Sequence, residues 1–341
     1  MSADESKQGA YEAAGVSQTA ADSAVEALLR SLSRIETGKP SRVVPLPGHY
    51  ASVLRLDAER GIAFGSDGVG TKMVLAERMG RFETIGIDCI AMCVNDLVCV
   101  GAEPIALVDT ILCSDADAEV IGAIGEGLRE GAEQAGIEIP GGEIAQVGDV
   151  VTGWELSGAA IGLVDVDGIV RGDRIEAGDA LIGLPSSGLH SNGYTLARKA
   201  LAEIPLDDTR LGLPLGEVLI EPTVIYVRAA LDLLGSDVDV RGLAHITGDG
   251  LNNLLRLSRE VGYTIEDPLP AQPVFELIAE VGGVDEEEMH EVFNMGLGFV
   301  AVVPEADAEQ AAALLAERHP GSRRIGTVTA DAGAVVRNGP D

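Results

Sequence analysis

The stretch Gly65-Ser-Asp-Gly-Val-Gly-Thr-Lys72 combines glycines with a hydroxyl, a carboxylate and a lysine. Glycines let the backbone approach phosphate oxygens, and successive N–H groups can form a concave anion site. Asp67 could hold Mg²⁺, and Lys72 could neutralise a phosphate. The order Gly70-Thr71-Lys72 differs from a Walker A loop, which ends Gly-Lys-Ser/Thr. The spacing alone therefore leaves a phosphate-binding loop and a structural turn as alternatives.

Three polar residues, Asp88, Asn95 and Asp96, interrupt an otherwise apolar run from Ile87 to Asp96. On a helix, Asp88 and Asp96 lie on the same face. Burying a carboxylate is costly without a partner, and a shared Mg²⁺ with oxygen ligands would supply one. The alternative is that these acids cap helix ends or pair with arginines.

A glycine-framed loop, Gly188-Leu-His-Ser-Asn-Gly193, follows a predicted strand and precedes a predicted helix. It brings His190, Ser191 and Asn192 close to a helix N-terminus, which favours anions. His190 could act as a general acid or base or as a hydrogen-bond donor. A lone loop histidine is usually a surface residue. A second histidine in a similar glycine setting favours the functional interpretation.

That second histidine is His245, in Ala244-His-Ile-Thr-Gly-Asp-Gly250. Thr247 and Asp249 add a hydroxyl and a carboxylate beside two glycines. A further glycine turn, Phe293 to Gly298, carries Asn294, for which substrate orientation and a plain turn are equal alternatives.

Other sequence signals exclude several classes of protein. The chain has no Gly-x-Ser-x-Gly, His-Glu-x-x-His or Gly-x-Gly-x-x-Gly motif, which argues against a serine hydrolase, a zinc protease and a dehydrogenase. Its cysteines lack the paired spacing of a zinc site and lie in apolar surroundings, so buried free thiols are expected. The four are Cys89, Cys93, Cys99 and Cys113.

The 341 residues carry a net charge of −31, which repels nucleic acid and anionic membrane surfaces. Only four of the 24 basic residues are lysines, a composition typical of proteins adapted to molar salt. An ordinary acidic protein is the alternative. No apolar window is long enough for a transmembrane helix, and the polar, acidic start, interpreted as a frayed tail, does not resemble a signal peptide. A cytoplasmic location is therefore expected.

The chemical motifs lie between segments whose periodicity predicts an α/β protein with a layered arrangement. A turn-rich stretch from Val166 to Asp173 predicts a boundary between an N-terminal domain, 1–168, and a C-terminal domain, 169–341. The predicted helices are 17–37, 87–101, 118–135, 194–201, 218–234, 250–259 and 306–318. The predicted strands are 60–66, 105–112, 151–164, 180–184 and 299–303.

Taken in order, the motifs resemble the phosphoribosylformylglycinamidine cyclo-ligase family, also called aminoimidazole ribonucleotide synthetase. The matching stretches run from Tyr11 to Phe293-Asn-Met-Gly296, and the ordered set is far more specific than any single motif. They are Tyr11-Glu-Ala-Ala-Gly-Val16, Asp67 to Lys72, Gly86 to Asp96, Gly101-Ala-Glu-Pro104, Gly141-Gly-Glu143, Gly188 to Gly193, Ala244 to Gly248 and Phe293 to Gly296.

The resemblance implies a two-domain ATP-binding synthetase fold. Its N-terminal domain forms a β-barrel across a homodimer, and its C-terminal domain is a layered α/β domain. It also implies a reaction on a small nucleotide substrate, in which ATP phosphorylates the formamide oxygen of formylglycinamidine ribonucleotide. The amidine nitrogen then attacks, phosphate leaves and the imidazole ring closes. ATP and Mg²⁺ are the implied co-substrate and metal.

The resemblance assigns roles residue by residue. Asp67 and Asp96 are the implied Mg²⁺ ligands, and Lys72 is the implied phosphate contact. The implied catalytic residues are His190, His245, Asp96 and Lys72. The implied residues for binding ATP or substrate are Ser66, Asp67, Gly68, Gly70, Thr71, Asn95, Glu143, Ser191, Asn192, Thr247 and Asn294.

The chain departs from the family pattern in two places. Many members have Gly-Gly-Gly where this chain has Gly248-Asp249-Gly250, which resembles the Ser-Asp-Gly of thiamine-phosphate kinases and makes Asp249 a further candidate Mg²⁺ ligand. The usual Gly-Gly-Glu-Thr-Ala-Glu-Met is here Gly-Gly-Glu143-Ile-Ala-Gln-Val147. Contacts made by the missing Thr and Glu are therefore not expected.

The alternatives are relatives with the same fold and a protein without catalysis. Selenide-water dikinase needs a reactive N-terminal Cys, which residues 1–30 lack. The hydrogenase-maturation carbamoyl dehydratase ends in a cysteine, whereas this chain ends in Asp341. Thiamine-monophosphate kinase lacks the His190 loop in this form. A non-catalytic nucleotide-binding regulator would need neither His190 nor His245.

Overall fold

The structure, a computed structural model, describes residues 18–337, whose strands form two six-stranded sheets. The predicted N-terminal tail and the Tyr11–Val16 stretch lie outside these residues. The strands are β1 Val43–Val44, β2 Ser52–Arg55, β3 Arg60–Gly68, β4 Glu103–Cys113, β5 Glu138–Gln146, β6 Trp154–Asp165, β7 Ala180–Pro185, β8 Gly242–His245, β9 Gly262–Ile265, β10 Leu297–Val303, β11 Arg323–Thr329 and β12 Val335–Arg337.

Helices cover parts of both sheets. They are α1 Gln18–Leu32, α2 Lys72–Met79, α3 Ile85–Cys99, α4 Ala118–Ala135, α5 Tyr194–Ala200, α6 Leu215–Ile220, α7 Val227–Leu234, α8 Pro273–Gly282, α9 Glu286–Val292 and α10 Ala308–Arg318. The predicted α/β class with two sheet-containing domains is confirmed. In the described range, no helix is both long and apolar enough to cross a membrane.

The first sheet has the order β1-β2-β3-β6-β4-β5, with β4 and β5 parallel and the other pairs antiparallel. Side chains on strand β6 alternate between a buried face and an exposed face. Leu156, Ala160 and Val164 are buried, whereas Ile161 and Leu163 alternate with them and stay exposed. The buried face packs on α3, and the opposite face remains open within one chain.

The second sheet has the order β12-β9-β11-β7-β10-β8, with only β9 and β12 parallel. Strands β7 and β10 lie inside it and are apolar along almost their whole length, which is the pattern of strands covered on both faces. The predicted boundary at 168/169 falls between the two sheets and stays a prediction.

Helix α3 connects the two sheets, because it packs against α4, β3 and β6 and also contacts β8 of the second sheet. Its close approach to α4 requires glycine. A Cβ at Gly86 would lie 2.1 Å from the backbone nitrogen of Leu128, and one at Gly127 would lie 2.3 Å from the Glu83 carbonyl oxygen. The helix is buried along almost its full length, and all four cysteines are buried and free, as predicted.

Three predicted helices differ in the structure. The helix predicted over 17–37 ends at Leu32. The segment 218–234 is not one helix, because α6 ends at Ile220 and α7 begins at Val227. Pro222 disfavours helical geometry at the residue before it, and Glu221 is extended with ψ 126°. The segment 250–259 is a 3₁₀ helix over Gly250–Arg256 instead of an α-helix.

Candidate active site between the two sheets

His245, at the end of β8, contacts the C-terminal half of α3. Its Nδ1 lies 2.9 Å from Asp96 Oδ1, and its Nε2 lies 3.4 Å from Asn95 Nδ2. A carboxylate only accepts and an amide nitrogen only donates, which assigns the ring proton to Nδ1 and leaves Nε2 as an acceptor. The imidazole is fully buried, whereas the Asp96 side chain is 20% exposed. One carboxylate oxygen of Asp96 is thus held by His245, while the side chain still reaches solvent.

Asn95 connects this group to the segment between α6 and α7. Its Nδ2 donates to the Val224 carbonyl at 2.9 Å, and its Oδ1 accepts from the Tyr226 amide at 2.9 Å. These two bonds hold the side chain in one orientation, so the remaining Nδ2 hydrogen points at His245. The expectation that Asn95 binds ligand directly is not supported by these contacts, since its amide groups already have protein partners.

Asp67 lies at the end of β3 and is close enough to Asp96 for their charges to interact. Its partial removal from water raises the pKa of its carboxyl group, and the negative charge of Asp96 adds to that shift. The Gly68 amide donates to Asp67 Oδ1 at 2.7 Å and acts in the opposite direction. Asp67 and Asp96 are therefore the two acids that the fold brings together.

Asp249 stands at the start of the 3₁₀ helix, and its Oδ2 is 4.0 Å from Arg256 Nη2. The described residues contain no group of three His, Cys, Asp or Glu side chains arranged around a metal-sized point. The three predicted metal ligands therefore do not form a complete protein cage.

Lys72 is placed differently from its predicted role as a phosphate contact. Its side chain is fully buried, and its Nζ lies 2.7 Å from Asp88 Oδ2. It also donates to the Glu221 carbonyl at 2.7 Å and the His190 carbonyl at 3.2 Å. An ammonium group has three donors, so none is left for a phosphate. Lys72 is a buried structural cation in this arrangement.

Asp88 completes the same buried cluster and is not placed as a Mg²⁺ ligand. Its Oδ1 accepts from the Thr223 amide at 2.8 Å and from the Thr223 hydroxyl at 2.6 Å. We call Lys72, Asp88 and Thr223 the lysine lock, because they join α2, α3 and the segment that follows α6.

His190 contacts the lysine lock, because its backbone carbonyl accepts a hydrogen bond from Lys72 Nζ. Its backbone has a φ of 61°, which is left-handed geometry that is uncommon for a residue other than glycine. The Ser187 amide donates to its Nε2 at 3.3 Å, which assigns the ring proton to Nδ1. That Nδ1 is buried and has no partner among the described residues. Burial, followed by the charges of His245 and Lys72, lowers the pKa of His190 well below its usual value.

Several predicted binding residues instead stabilise their own loops. Asn294 donates to the Gly188 carbonyl at 2.8 Å and accepts from Ser186 Oγ and the Gly296 amide, so the plain-turn alternative fits it better. Thr247 donates to Asn253 Oδ1 through both its amide and its hydroxyl.

The remaining residues of the predicted set lie around the cleft or away from it. Ser191 Oγ donates to the Val69 carbonyl at 3.3 Å, and Asn192 Nδ2 is 4.0 Å from Met92 Sδ. Thr71 Oγ1 is 3.0 Å from Thr195 Oγ1. Ser66, Gly68 and Gly70 are solvent-accessible at the end of β3 and in the turn after it.

Glu143 is not brought to this group within one chain. It lies on β5, the edge strand of the first sheet, and is exposed. Two strands separate β5 from β3, so Glu143 and Asp67 are about 14 Å apart across the sheet.

Sequence reasoning missed Thr223 and Arg256. Thr223 follows Pro222, and that proline was the available signal that a polar, non-helical segment crosses the site. Arg256 lies inside a predicted helix without an accompanying motif, and only its position in the fold, 5.0 Å above the Tyr50 ring, reveals its link to Asp249.

Known proteins match this chain along most of its length. The family model described as AIR synthase related protein, N-terminal domain, matches residues 48–164, and the C-terminal domain model matches residues 176–338. A phosphoribosylformylglycinamidine cyclo-ligase of Thermococcus kodakarensis is 47% identical over 332 residues, covering 96% of this chain and 98% of the relative. Another, of Methanothermobacter thermautotrophicus, is 45% identical and covers 96% of both chains.

Solved structures share the fold at low identity. ThiL complexed with AMPPCP and TMP has a TM-score of 0.63 at 14% identity and covers 93% of this chain and 94% of that one. E. coli HypE has a TM-score of 0.60 at 23% identity and covers 84% of this chain and 87% of that one. The two domain matches and the relatives at 45–47% identity establish that the chain belongs to the phosphoribosylformylglycinamidine cyclo-ligase family.

Proposed function

We propose that this chain is an enzyme that closes the imidazole ring of aminoimidazole ribonucleotide from formylglycinamidine ribonucleotide, in purine biosynthesis. The reaction uses ATP and releases ADP and phosphate. The observation that carries the proposal is 47% identity along 96% of the chain to a relative named for this activity. The arrangement of His190, His245 and Asp96 in one cleft supports it.

The chemistry requires an oxygen to become a leaving group. The formamide oxygen forms a bond to the γ-phosphorus of ATP as the bond to ADP breaks. The amidine nitrogen then attacks the activated carbon and loses a proton, and the C–O bond breaks so that phosphate carries the oxygen away. Protein groups contribute chiefly by positioning the reactants and stabilising charge.

The two histidines suit different parts of this task. The unpartnered Nδ1–H of His190 is a neutral donor, because the lowered pKa keeps the ring uncharged near pH 7. It is suited to holding an acceptor atom of the substrate. His245, held between Asp96 and Asn95, would keep the Asp96 carboxylate oriented. We assign both histidines to positioning ahead of proton transfer.

Asp67 and Asp96 fit a Mg²⁺ ion. Mg²⁺ in nucleotide sites is commonly bound by one or two carboxylates, with waters and phosphate oxygens completing the shell. Burial raises the pKa of Asp67 and the negative charge of Asp96 adds to that shift, so a cation bound between the two carboxylates would be stabilising. When bound, the ion would neutralise charge on the transferred phosphoryl group. Asp249 is a third candidate ligand, and its carboxylate lies 4.0 Å from Arg256 Nη2.

We further propose that the chain forms a homodimer through the open face of the first sheet. Ile105, Val108, Ile161 and Leu163 on β4 and β6 are 36–44% exposed on that face. Contiguous exposed apolar side chains of this kind mark interaction surfaces. A second copy covering this face would complete a barrel. Ile161→Glu should then yield monomers in light scattering, whereas Leu213→Glu, at an exposed apolar position of the second domain, should leave the dimer intact.

The proposal also includes a cytoplasmic location and a small nucleotide substrate, with no binding of nucleic acid or membranes. The net charge of −31 opposes binding to nucleic acid and anionic membranes.

The deciding assay mixes the pure chain in high salt with ATP, Mg²⁺ and formylglycinamidine ribonucleotide. We expect ADP release that depends on the ribonucleotide, with aminoimidazole product in equal amount. Thiamine monophosphate serves as the control substrate and should release no ADP. Release of ADP with thiamine monophosphate alone would overturn the proposal.

A further inference from the structure

Two adjoining cavities extend from the candidate active site along the 3₁₀ helix at Gly250–Arg256. The smaller, about 630 Å³, is lined by Gly248, Asp249 and Asn252. The larger, about 950 Å³, lies beneath His49 and Arg171. Gly48, Leu255, Arg256 and Arg259 line both, so the cavities form one continuous groove. We call it the arginine groove.

The arginine groove brings three arginines together among six carboxylates. Three of the chain's 24 basic residues, Arg171, Arg256 and Arg259, line the groove. Neither Arg171 nor Arg259 makes an ion pair with a described residue, whereas many other arginines are paired. Arg256 stacks over Tyr50 and lies 4.0 Å from Asp249. Arg171 and Arg259 line the same cavity and have no carboxylate partner within residues 18–337, so both can supply donors to an anion bound there.

His49 supplies an independent observation. The Tyr50 amide donates to its Nδ1 at 2.9 Å, which assigns the ring proton to Nε2. Nε2 is buried and has no partner among the described residues. Burial and the charge of Arg256 lower the pKa of His49 to about 4, so the ring is a neutral donor near pH 7. A buried N–H without an acceptor is costly unless a ligand or water satisfies it.

Acidic side chains also line the groove, and they bear on which anion it fits. Glu176 is held by Arg241 at 2.6 Å, and Asp249 faces Arg256. Asp173, Glu260, Glu288 and Glu291 lie along the walls. A long polyanion would meet these carboxylates, whereas a single compact phosphate can contact the guanidinium groups and avoid them. Arginine binds such a group through paired hydrogen bonds.

Arg256 connects the groove to the reacting end of the site, because its charge acts on both His49 and Asp67. We propose that the arginine groove binds the 5′-phosphate of the ribonucleotide substrate, with Arg171, Arg259 and the Nε2–H of His49 as its donors. The inference rests on the proposed function for the identity of the nucleotide. It assigns these three residues to substrate affinity and leaves ATP to the Asp67 side of the cleft.

The test compares Arg259→Gln with Arg55→Gln, a matched exposed arginine on β2. Losing a charged hydrogen bond should raise the KM for formylglycinamidine ribonucleotide by about 10-fold or more. The KM for ATP and kcat should change by less than about twofold. The dephosphorylated ribonucleoside should react equally poorly with the wild-type chain and Arg259→Gln. Arg55→Gln should match the wild type throughout.

A binding measurement separates this inference from the proposed function. Calorimetry with ribose 5-phosphate alone, at constant salt, should detect binding to the wild-type chain and about 10-fold weaker binding to Arg259→Gln. If ribose 5-phosphate binding depends on Arg259 in the same way but the chain has no cyclo-ligase activity, the phosphate site stands and the proposed function is rejected. An active chain in which Arg259→Gln leaves both the ribonucleotide KM and ribose 5-phosphate binding unchanged would overturn the groove assignment. A rise in the KM for ATP alone would overturn it too, by making this an ATP subsite.

Discussion

Helix α3 carries two acids eight residues apart that have opposite environments. Asp88 is fully buried and satisfied by Lys72 and Thr223, with no access to solvent. Asp96 is 20% exposed, shares one oxygen with His245 and faces Asp67 across the cleft. The comparison shows that a carboxylate in an apolar helix can have either of two roles. One acid holds two domains together, and the other is available to a ligand.

The lysine lock also explains how the available acid is held in position. Asp88 binds Thr223, and Asn95 binds Val224 and Tyr226 of the same segment. Lys72 additionally holds the His190 carbonyl, the residue with left-handed geometry. The buried region therefore helps to position both histidine loops.

The largest expected effect is a loss of stability when the ion pair of the lysine lock is broken. Lys72→Met leaves Asp88 buried without its cation and should lower the free energy of unfolding by about 3–5 kcal/mol. Denaturant unfolding measures it. The double variant Lys72→Met/Asp88→Asn removes both charges but keeps an acceptor for Thr223, so it should recover at least half of the loss. A loss below about 1 kcal/mol for Lys72→Met would mean that the ion pair does not stabilise the fold.

A second prediction tests the hydrogen bond between His245 and Asp96. His245→Asn keeps a donor near the position of Nδ1, whereas His245→Leu removes it. We expect His245→Leu to lower kcat by about 10²–10³-fold, with His245→Asn retaining several times more activity. Steady-state rates at saturating ATP and ribonucleotide measure this. Equal losses in the two variants would show that the bond to Asp96 does not matter.

A third prediction concerns pH. Burial lowers the pKa of His49, His190, His290 and His319, to about 4 for His49 and His290. Below the unfolded-state pKa of about 6.5 the unfolded chain binds more protons than the folded chain, so stability should fall as pH falls from about 6.5 toward 4. His190→Gln should reduce this slope in denaturant unfolding at several pH values. An unchanged slope would contradict the buried, neutral state of His190.

The smallest expected effect concerns solvent. The halophilic interpretation predicts that molar KCl raises the unfolding midpoint by screening the charge of −31. Thermal unfolding at 0.1 M and 2 M KCl measures it. A midpoint independent of KCl would favour an ordinary acidic protein.

The sequence predicted the outline of the fold better than the contacts of its polar residues. The periodicity of α4 gave its observed bounds, because one face is apolar along its whole length. Strand β5 escaped prediction because Gly141 and Gly142 and its exposed polar residues hide the strand pattern. Pro222 divides a predicted helix, and it does so where the chain must extend to reach Asp88 and Asn95.

The site was predicted as a set of residues and only partly as a set of roles. Spacing could not separate Asp88 from Asp96, since both lie on one helix and their partners come from residues 72 to 245. Lys72 resembled a phosphate contact because it follows a glycine-rich turn. Besides Asp88, its partners are two carbonyl groups more than 100 residues away in sequence, which no local pattern reveals.

The most direct test of the account replaces each acid of α3 by its amide and measures activity and stability together. Asp96→Asn should lower ribonucleotide-dependent ADP release by about 100-fold or more, while its free energy of unfolding changes by less than about 1 kcal/mol. Asp88→Asn should lose stability, and its folded fraction should stay largely active. Equal losses of activity and stability in Asp96→Asn would make it a second structural acid and contradict the division of α3 into a buried lock and an open site.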